Sequence, residues 1–293
     1  MTTPIYNTIA VIGLGLIGSS VIRAAESNAL AGRIMAYDAD PETRKTAAKI
    51  NLGTVVETSA QAVEDADLII FAIPVGAMGA AAAEIIPHMK QGAILTDTGS
   101  TKKSVLADIK PHLDGKITFI PSHPIAGTEY SGPEAGFATL FKDRYWIILP
   151  EGAPESDVGN FRQFLQGMGA LVEDMEVDYH DRVLAITSHL PHLIAYTIVG
   201  TAFDFEQQVQ NDVIKYSASG FRDFTRIASS DPVMWRDVFI NNSDAVLEML
   251  GRFSEDLTYL QRAIRWKEAD KLQDLFTKTR DIRAKIKDYG QLD

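Results

Sequence analysis

His123 is the residue whose type and position point most directly to chemistry. It follows the apolar run 117–120 and opens the segment His-Pro-Ile-Ala-Gly-Thr-Glu, which ends at Glu129. Histidine is the usual general base near neutral pH because its pKa lies close to that pH. The alternative is a histidine that only hydrogen-bonds to the backbone in the turn before Pro124. Glu129 could bind a substrate, pair with an arginine or remain a solvated charge.

A second histidine segment, Ser-His-Leu-Pro-His over residues 188–192, lies in the carboxyl-terminal half of the chain. Pro191 removes a helical hydrogen bond, and kinked helices often line a cavity. Either histidine could instead be a core residue, which is the interpretation that we favour for His189. The two histidines are three residues apart, as metal ligands can be. The sequence offers no third ligand, so no metal site is predicted.

Two arginines, Arg222 and Arg226, lie four residues apart among aromatic residues. A planar guanidinium is the best bidentate partner for a carboxylate, so this segment is a candidate site for an acidic substrate. The alternative is pairing within the helix, with Asp223 as the partner. Trp235, which lies beside Arg236, is interpreted as a core residue.

A glycine pattern follows the first predicted strand. It reads Gly13-Leu14-Gly15-Leu16-Ile17-Gly18 and precedes a predicted helix. In such a loop Gly13 makes the turn, Gly15 lets the backbone approach a pyrophosphate, and Gly18 allows the helix to pack on the strand. Free N–H groups and the helix dipole favour an anion at this helix N-terminus. The pattern therefore predicts a dinucleotide site that includes Leu16 and Ile17.

Asp38 ends the second predicted strand, 20 residues after Gly18. An acidic residue at this spacing binds the ribose hydroxyls of a dinucleotide. Its carboxylate would repel a 2′-phosphate, so the sequence favours NAD over NADP. Asp38 could instead cap the helix that starts at Pro41, and Arg44 could still help to hold a phosphate.

Two further segments follow strand ends, where ligands bind in open α/β sheets. They are the loop at Pro74 and residues 97–100, which read Asp-Thr-Gly-Ser. Ser100 also precedes a predicted helix, so capping that helix is as good an interpretation as a role in the site.

The elements that must position these residues alternate between strand and helix in the first half of the chain. Apolar strand-like runs are predicted at 8–12, 33–37, 68–73, 93–96, 117–120 and 145–149, with helical patterns at 19–29, 41–50, 77–89 and 103–112. This alternation is typical of an α/β protein with a Rossmann-like, doubly wound parallel sheet. A final unit at 157–168 and 170–174 is expected to close the sheet.

Beyond residue 176, apolar residues recur at helical spacing, which predicts an all-α part. We therefore predict an NAD-binding domain over residues 1–176 and a helical substrate-binding and dimerisation domain over residues 177–293. The second domain should open with a long helix, from about Tyr179, that Pro191 kinks. Its apolar surface is expected to form a homodimer interface.

The composition narrows the range of partners. The chain has 293 residues, a net charge of −11 and no cysteine, which argues against a nucleic-acid surface and excludes disulfides and cysteine nucleophiles. The longest apolar stretch, 190–203, is too short to span a bilayer, and the amino terminus lacks a signal-peptide pattern. We expect a cytoplasmic protein that binds neither nucleic acid nor a membrane.

Together, these motifs resemble the prephenate/arogenate (cyclohexadienyl) dehydrogenase family of tyrosine biosynthesis. The resemblance covers nearly the whole chain. It is carried by the glycine pattern and by residues 97–102, 123–129, 188–192, 220–226 and 231–237. The order and combination of these blocks are specific, whereas no single block suffices. Thr101 stands where the family usually has a valine.

The resemblance implies an NAD(P)-dependent oxidative decarboxylation of a cyclohexadienol carboxylate, prephenate or arogenate, to 4-hydroxyphenylpyruvate or tyrosine. It implies that His123 polarises or deprotonates the ring 4-hydroxyl while hydride leaves C4 for the nicotinamide. Ser100 would share this hydrogen-bond network, and Arg226 would hold a substrate carboxylate. The pocket would also be lined by His192, Glu129 and Thr128. Members of this family are likewise dimers through the helical domain.

Two other functions remain alternatives. A β-hydroxyacid dehydrogenase shares the layout of a nucleotide domain followed by helices, but it typically uses a lysine as acid/base, and the candidate here, Lys215, lacks such a setting. A non-catalytic NAD-binding sensor would keep the fold. The presence of Ser100, His123 and Arg226 together argues against it. No residue clearly distinguishes a pyruvyl from an alanyl substrate side chain.

Overall fold

The first sheet of the molecule is parallel and has six strands. A computed structural model describes residues 3–286. Its strands are β1 (Tyr6–Ile12), β2 (Ala31–Tyr37), β3 (Thr54–Val55), β4 (Leu68–Phe71), β5 (Ile94–Asp97) and β6 (Thr118–Ile120). Their order is β3-β2-β1-β4-β5-β6, which is that of the doubly wound dinucleotide-binding fold. The predicted fold class is confirmed, and β3 is a strand that the sequence patterns did not predict.

Helices connect these strands and cover the sheet. They are α1 (Leu16–Ser27), α2 (Pro41–Lys49), α3 (Ser59–Val63), α4 (Met78–Ile85) and α5 (Lys103–Ile109). Successive residues of β1 enter different apolar clusters. Val11 packs in a cluster with Val21 of α1, whereas Ala10 packs in another with Met78 of α4. Because both faces are covered, the strands are apolar throughout rather than alternating.

The last predicted strands do not join this sheet. β7 (Ser122–Pro124), β8 (Tyr145–Ile148) and β9 (Leu171–Asp174) form a second sheet, in which β7 is antiparallel to β8 and β8 is parallel to β9. The predictions that 145–149 is a strand of the first sheet and that the unit at 157–168 and 170–174 closes this sheet are therefore wrong. Pro121, between β6 and β7, has no N–H with which to continue the first ladder, and the chain changes sheets there.

The remaining α-helices lie in the carboxyl-terminal half of the chain. The helices are α6 (Glu155–Gly167), which precedes β9, and then α7 (Val177–Leu184), α8 (Leu190–Val209), α9 (Ser219–Thr225), α10 (Pro232–Asn241), α11 (Ser243–Arg265) and α12 (Ala269–Ile286). Residues up to Asn242 form one compact unit, and those from Ser243 form another. The domain boundary at residue 176 stays a prediction. Residues 1, 2 and 287–293 of the two predicted domains lie outside the described residues.

A π-helical segment, Ala185–His189, joins α7 to α8. In a regular α-helix Pro191 would lack an N–H for the carbonyl four residues earlier, and its ring would clash with that carbonyl. The N–H of Leu190 instead bonds to the carbonyl of Ala185, five residues earlier. The wider π turn accommodates the proline, so the predicted kink takes the form of a π-bulge.

The helical stretch through this bulge runs from Val177 to Val209 and has 33 residues. By length and composition it could cross a membrane, and 28% of its most apolar window is buried in the protein. The apolar stretch 190–203 is thus part of a longer helical stretch, because the helix continues through Pro191. The buried His180 and Asp181 of this helix hydrogen-bond to other elements of the same unit, as in a helix that packs within a protein.

Candidate active site

The glycine-rich loop lies between β1 and α1, at the carboxyl end of a central strand. Gly13 has a φ of +97°, and a Cβ there would lie 2.4 Å from the carbonyl oxygen of Ala72. A Cβ at Gly18 would lie 1.9 Å from the carbonyl oxygen of Gly13. At Gly15, by contrast, no described atom lies within 4 Å of the Cβ position. Two glycines are required by the fold itself, and Gly15 leaves open space.

That open space adjoins the N-terminus of α1. Among the described residues, no side chain caps this helix. Its first N–H groups, those of Leu16, Ile17 and Gly18, are therefore free to bind an anion. The loop thus has the backbone arrangement that the sequence predicted for a dinucleotide pyrophosphate.

Asp38 stands beside this loop and does not cap α2. The cap is Asp40, which accepts hydrogen bonds from two amides in the first turn of α2. Asp38 instead accepts the N–H of Leu14 at 2.8 Å and thereby ties the end of β2 to the glycine loop. Arg44 donates to the carbonyl of Asp38 at 2.8 Å and to the next carbonyl at 3.1 Å, so its guanidinium is engaged with backbone.

Pro74 and Ser100 lie at the same carboxyl edge of the first sheet. Pro74 follows β4 and precedes the short 3₁₀ turn Val75–Ala77. Ser100 lies in the loop between β5 and α5. The capping interpretation of Ser100 is wrong, because α5 begins at Lys103 and its cap position is occupied by Lys102. Ser100 is left as a loop residue at the sheet edge where ligands bind.

His123 lies in β7 rather than in a turn, and 8% of its surface is exposed. Its Nδ1 is 2.9 Å from Nε2 of His180, and Nδ1 of His180 is 2.8 Å from Oδ1 of Asp181. Asp181 also accepts the backbone N–H groups of Lys102 and Lys103, at 2.8 and 2.9 Å. We call the three connected side chains His123, His180 and Asp181 the imidazole relay.

The carboxylate end of the relay determines the direction of every hydrogen bond in it. A carboxylate only accepts, so Nδ1 of His180 carries the proton that bonds to Asp181. In the neutral ring the other nitrogen is an acceptor, so Nε2 of His180 accepts the Nδ1–H of His123. Nε2 of His123 is then left with a lone pair, which is the form that a general base requires. Asp181 thus selects the basic tautomer two rings away.

Burial keeps the two imidazoles of the relay neutral. Burial, followed by the neighbouring His180 and Lys102, holds the pKa of His123 well below 6.5. Burial likewise lowers the pKa of His180, although its hydrogen bond to Asp181 opposes the shift. For Asp181, burial acts to raise the pKa, but the hydrogen bonds from His180 and two backbone amides outweigh it and lower the pKa. The relay therefore carries its charge at the carboxylate.

A buried ion pair adjoins the relay. Lys102 and Asp97 are fully buried and in direct contact. The ammonium of Lys102 also donates to the carbonyl of Ser122 at 2.6 Å, and the N–H of Ser122 donates to Asp97 at 3.3 Å. A buried ion pair is tolerated only when such additional hydrogen bonds satisfy it. This one joins the end of β5 to β7, next to His123.

The predicted substrate-binding residues are more exposed. Nη1 of Arg226 lies 3.2 Å from Oε2 of Glu129, and the two side chains are 59% and 31% exposed. Glu129 therefore pairs with an arginine, and Arg226 finds its partner outside its own helix rather than in Asp223. Thr128 is exposed, and its hydroxyl accepts the N–H of Tyr130 at 3.3 Å.

His192 lies in the first turn of α8. Its Nδ1 is 2.9 Å from the carbonyl oxygen of Ser188, and its ring stacks on Trp235. Burial lowers the pKa of His192; the Ser188 carbonyl opposes this shift and Arg226 adds to it. The short turn that begins at Arg226 packs against α8, the helix that carries His192.

The arrangement bears on two of the alternatives. His189 is fully buried, as expected of a core residue, and its Nδ1 lies 3.1 Å from the amide nitrogen of Asn242. Over residues 3–286, no group of three or more potential ligand side chains is arranged to hold a metal. Lys215, the candidate acid/base of a β-hydroxyacid dehydrogenase, is exposed and pairs with Asp212 at 2.9 Å.

The structure thus adds three residues that the sequence did not predict for this site: His180, Asp181 and Lys102. The signal for the first two was weak, because adjacent polar residues near a helix start are ordinary capping residues. Lys102 belongs to the motif that contains Ser100, but nothing in the sequence indicated that its charge is buried.

Comparison with known proteins gives one consistent result. The family model described as prephenate dehydrogenase, nucleotide-binding domain, matches residues 22–174, and that described as prephenate dehydrogenase, dimerization domain, matches residues 176–278. The chain is 39% identical to a cyclohexadienyl dehydrogenase of Zymomonas mobilis, over 97% of both proteins. It is 30% identical to a prephenate dehydrogenase of Bacillus subtilis, over 94% of this chain and 75% of that protein.

A solved structure agrees with these sequence relatives. The prephenate dehydrogenase of Aquifex aeolicus in complex with hydroxyphenyl propionate and NAD+ matches with a TM-score of 0.89 at 29% identity, over 98% of this chain and 99% of that one. The resemblance inferred from the motifs is confirmed, and the chain belongs to the prephenate dehydrogenase family.

Proposed function

We propose that His123 is the general base with which this chain oxidises and decarboxylates prephenate or arogenate. Membership of the family makes the chain an NAD-dependent oxidoreductase of tyrosine biosynthesis, of the prephenate and arogenate dehydrogenase type. The observation that supports the role of His123 is the imidazole relay. It leaves Nε2 of a buried, neutral imidazole as an acceptor.

The reaction needs a base and then an acid at the same oxygen. Nε2 of His123 takes the proton of the ring 4-hydroxyl as C4 is oxidised. The ring carboxylate then leaves as CO2, its electron pair aromatises the ring, and the phenol oxygen takes the proton back from His123. Asp181 stabilises the transient imidazolium through His180, as a carboxylate does in a serine protease triad. Aromatisation drives the step, so the protein mainly needs to align the base and substrate.

NAD fits the residues that would hold it. The open space at Gly15 and the uncapped N-terminus of α1 suit a pyrophosphate, and Asp38 suits the ribose hydroxyls. Pro74 follows the neighbouring strand at the same sheet edge. When bound, NAD supplies the two-electron acceptor. The preference for NAD over NADP is supported by the carboxylate of Asp38 and by Arg44, whose guanidinium is engaged with backbone carbonyls.

The substrate carboxylate on the side chain is assigned to Arg226. Its partner Glu129 is a carboxylate as well, so the substrate can take the place of Glu129 without leaving the guanidinium unpaired. His192 and Thr128 complete the pocket, and Ser100 shares the hydrogen bond to the 4-hydroxyl. The charge pattern supports this assignment: a neutral base faces the hydroxyl, and a cation faces the acid.

A cytoplasmic homodimer through the helical half completes the proposal. Residues 176–278 match a dimerization domain. Helices α8, α11 and α12 expose large apolar side chains, among them Phe203, Leu257 and Phe276, which are 50%, 49% and 57% exposed. Such side chains are expected at a subunit interface. We assign the exposed apolar side chains of α8, Phe203 among them, to a subunit interface rather than to a membrane, and propose no nucleic-acid partner.

The test is turnover of both substrates by the purified chain. With NAD present, we expect NADH and CO2 in equal amounts, together with tyrosine from arogenate or 4-hydroxyphenylpyruvate from prephenate. Absorbance follows NADH, and mass spectrometry identifies the products. Comparison of kcat/KM then ranks the two substrates. NAD binding without turnover of either substrate would contradict the proposal and favour the sensor.

A further inference from the structure

Trp235 has no task in the mechanism above. It lies on α10, and 7% of its surface is exposed. Three aromatic rings surround its indole. Their ring-centroid distances are 3.5 Å to His192, 5.6 Å to Phe239 and 6.1 Å to His189. Trp235 is thus buried among rings, one of which belongs to the proposed substrate pocket.

The contact with His192 differs in kind from the other two. The two rings are nearly parallel, at 22°, whereas Phe239 is tilted by 40° and His189 meets the indole edge-on at 77°. At a centroid distance of 3.5 Å the indole covers one face of the imidazole. A side chain on a helix has a few allowed rotamers, and the stack blocks those that would swing the His192 ring through the indole.

A second contact fixes the rotation of the His192 ring within its own plane. Its Nδ1 is 2.9 Å from the carbonyl oxygen of Ser188. A carbonyl only accepts, so Nδ1 carries the proton, and Nε2 of the neutral ring is the acceptor. The indole sets the tilt of the ring, and the carbonyl sets which nitrogen faces away from α8.

Trp235 is itself firmly placed. Asp231 caps α10 by accepting the N–H of Met234 at 2.8 Å. The hydroxyl of Tyr196, one turn after His192 on α8, donates to the carbonyl of Ser230 at 2.9 Å. The start of α10 is therefore tied to α8 one turn from the stack.

We propose that Trp235 is a positioning residue for substrate recognition, because its indole holds the His192 ring so that Nε2 is presented to the substrate side chain. The inference rests on the proposed function, in which His192 lines the pocket. An acceptor at Nε2 complements the ammonium of an alanyl side chain and not the keto oxygen of a pyruvyl one. Trp235 therefore acts most strongly on the alanyl substrate.

Kinetics of Trp235→Leu, Trp235→Phe and His192→Ala test the proposal. We expect Trp235→Leu to raise KM for arogenate about fivefold to tenfold, which lies within the range of aromatic-pair energies, and to raise KM for prephenate less. Its kcat and KM for NAD should change less than about twofold, and Trp235→Phe should restore most of the loss. In a His192→Ala background, Trp235→Leu should have no further effect on KM, since contacting residues are not additive. The proposal is overturned if the effects of Trp235→Leu and His192→Ala on KM are additive, or if KM for NAD rises as much as KM for arogenate.

Nuclear magnetic resonance separates this inference from the proposed function. The ring protons of His192 should be shifted upfield by the indole in the unmodified chain and should move downfield in Trp235→Leu. In Trp235→Phe, which keeps a stacked but smaller ring, they should move downfield by a smaller amount, and this variant serves if the leucine variant does not fold. Unmoved resonances overturn the positioning role. If the unmodified chain oxidises neither substrate, the proposed function fails and the recognition role of Trp235 fails with it, whereas turnover with unmoved resonances removes Trp235 alone.

Discussion

The two halves of the candidate site are built in opposite ways. In the imidazole relay His123, His180 and Asp181 are 8%, 0% and 4% exposed, and each side chain has a fixed partner. The pair of Arg226 and Glu129 is largely exposed and is joined by a single contact of 3.2 Å. Buried polar groups are costly unless they are bonded, so their geometry is fixed. An exposed ion pair contributes about 0–1 kcal/mol and is readily exchanged. The proposed base is therefore held in place before a substrate binds, whereas the proposed carboxylate site can rearrange when a substrate binds.

The largest effect should come from removing the end of the relay that meets the substrate. His123→Asn deletes the base, so kcat should fall by about 10²–10⁴-fold. The Kd for NAD should change little, because His123 lies outside the glycine loop. Steady-state kinetics and NAD titration measure the two quantities. His112→Asn, at an exposed histidine, is the control. Near-normal turnover of His123→Asn would remove it from the chemistry.

The next effect should come from the far end of the relay. In Asp181→Asn the carboxamide can donate to His180 and reverse both hydrogen bonds, which puts a proton on Nε2 of His123. We expect kcat to fall by about 10²-fold with KM nearly unchanged, by the tautomer argument established for triads. Asp178→Asn, on the same helix but exposed and paired with Lys103 at 3.3 Å, is the matched control. Equal kcat values for the two variants would show that the relay has no catalytic role.

The exposed half should respond in KM instead. Arg226→Ala removes the proposed partner of the substrate carboxylate. It should raise KM roughly 30-fold, which corresponds to about 2 kcal/mol of binding free energy, with a smaller change in kcat. Arg222→Ala, one turn earlier on α9 and exposed, should leave KM unchanged. Kinetics with the preferred substrate measure both variants. If Arg226→Ala acts on kcat alone, the division between the two halves does not hold.

A substitution in the glycine loop should change NAD binding and neither half of the candidate site. Gly15→Ala places a methyl group in open space, so the melting temperature should not change, while KM for NAD should rise about tenfold as one hydrogen bond to the pyrophosphate is lost. Gly18→Ala is the contrasting control, because its Cβ would overlap the Gly13 carbonyl and should destabilise the fold. A Gly15→Ala enzyme with unaltered KM for NAD would place the pyrophosphate elsewhere.

The smallest effect concerns pH. Because burial lowers the pKa of His123, the base stays neutral at pH 6.5, and kcat/KM should change less than about twofold between pH 8 and 6.5. A decrease in kcat/KM that already begins above pH 6.5 as the pH is lowered would contradict a buried base.

Burial also lowers the pKa of His189 to about 4. The unfolded chain then binds more protons between about pH 6.5 and 4, so the free energy of unfolding should decrease as pH falls through that window, as chemical denaturation can measure.

The sequence was informative where the chemistry is local. The glycine pattern and Asp38 predicted the cofactor edge because loop, strand and helix follow one another along the chain. The second sheet could not be predicted, since the run 145–149 is equally apolar in either sheet. Only its pairing with Ser122–Pro124 decides the matter.

The sequence did not predict the imidazole relay either, because its members come together only when distant segments pack. His123 and His180 are 57 residues apart, and no spacing rule connects a strand residue to a helix in the other half of the chain. The ion pair of Asp97 and Lys102 spans five residues, but its importance lies in its burial. Burial is a property of the packed molecule.

The π turn at Ala185–His189 determines which elements the two parts of the helical stretch 177–209 face. Each residue of an α-helix advances the side chains by about 100° around the axis, so the extra residue in this turn rotates everything after it by about that angle. Before the π turn His180 contacts β7, and after it His192 contacts α10. Deleting Thr187 would restore the ordinary helical phase and point one of these imidazoles the wrong way.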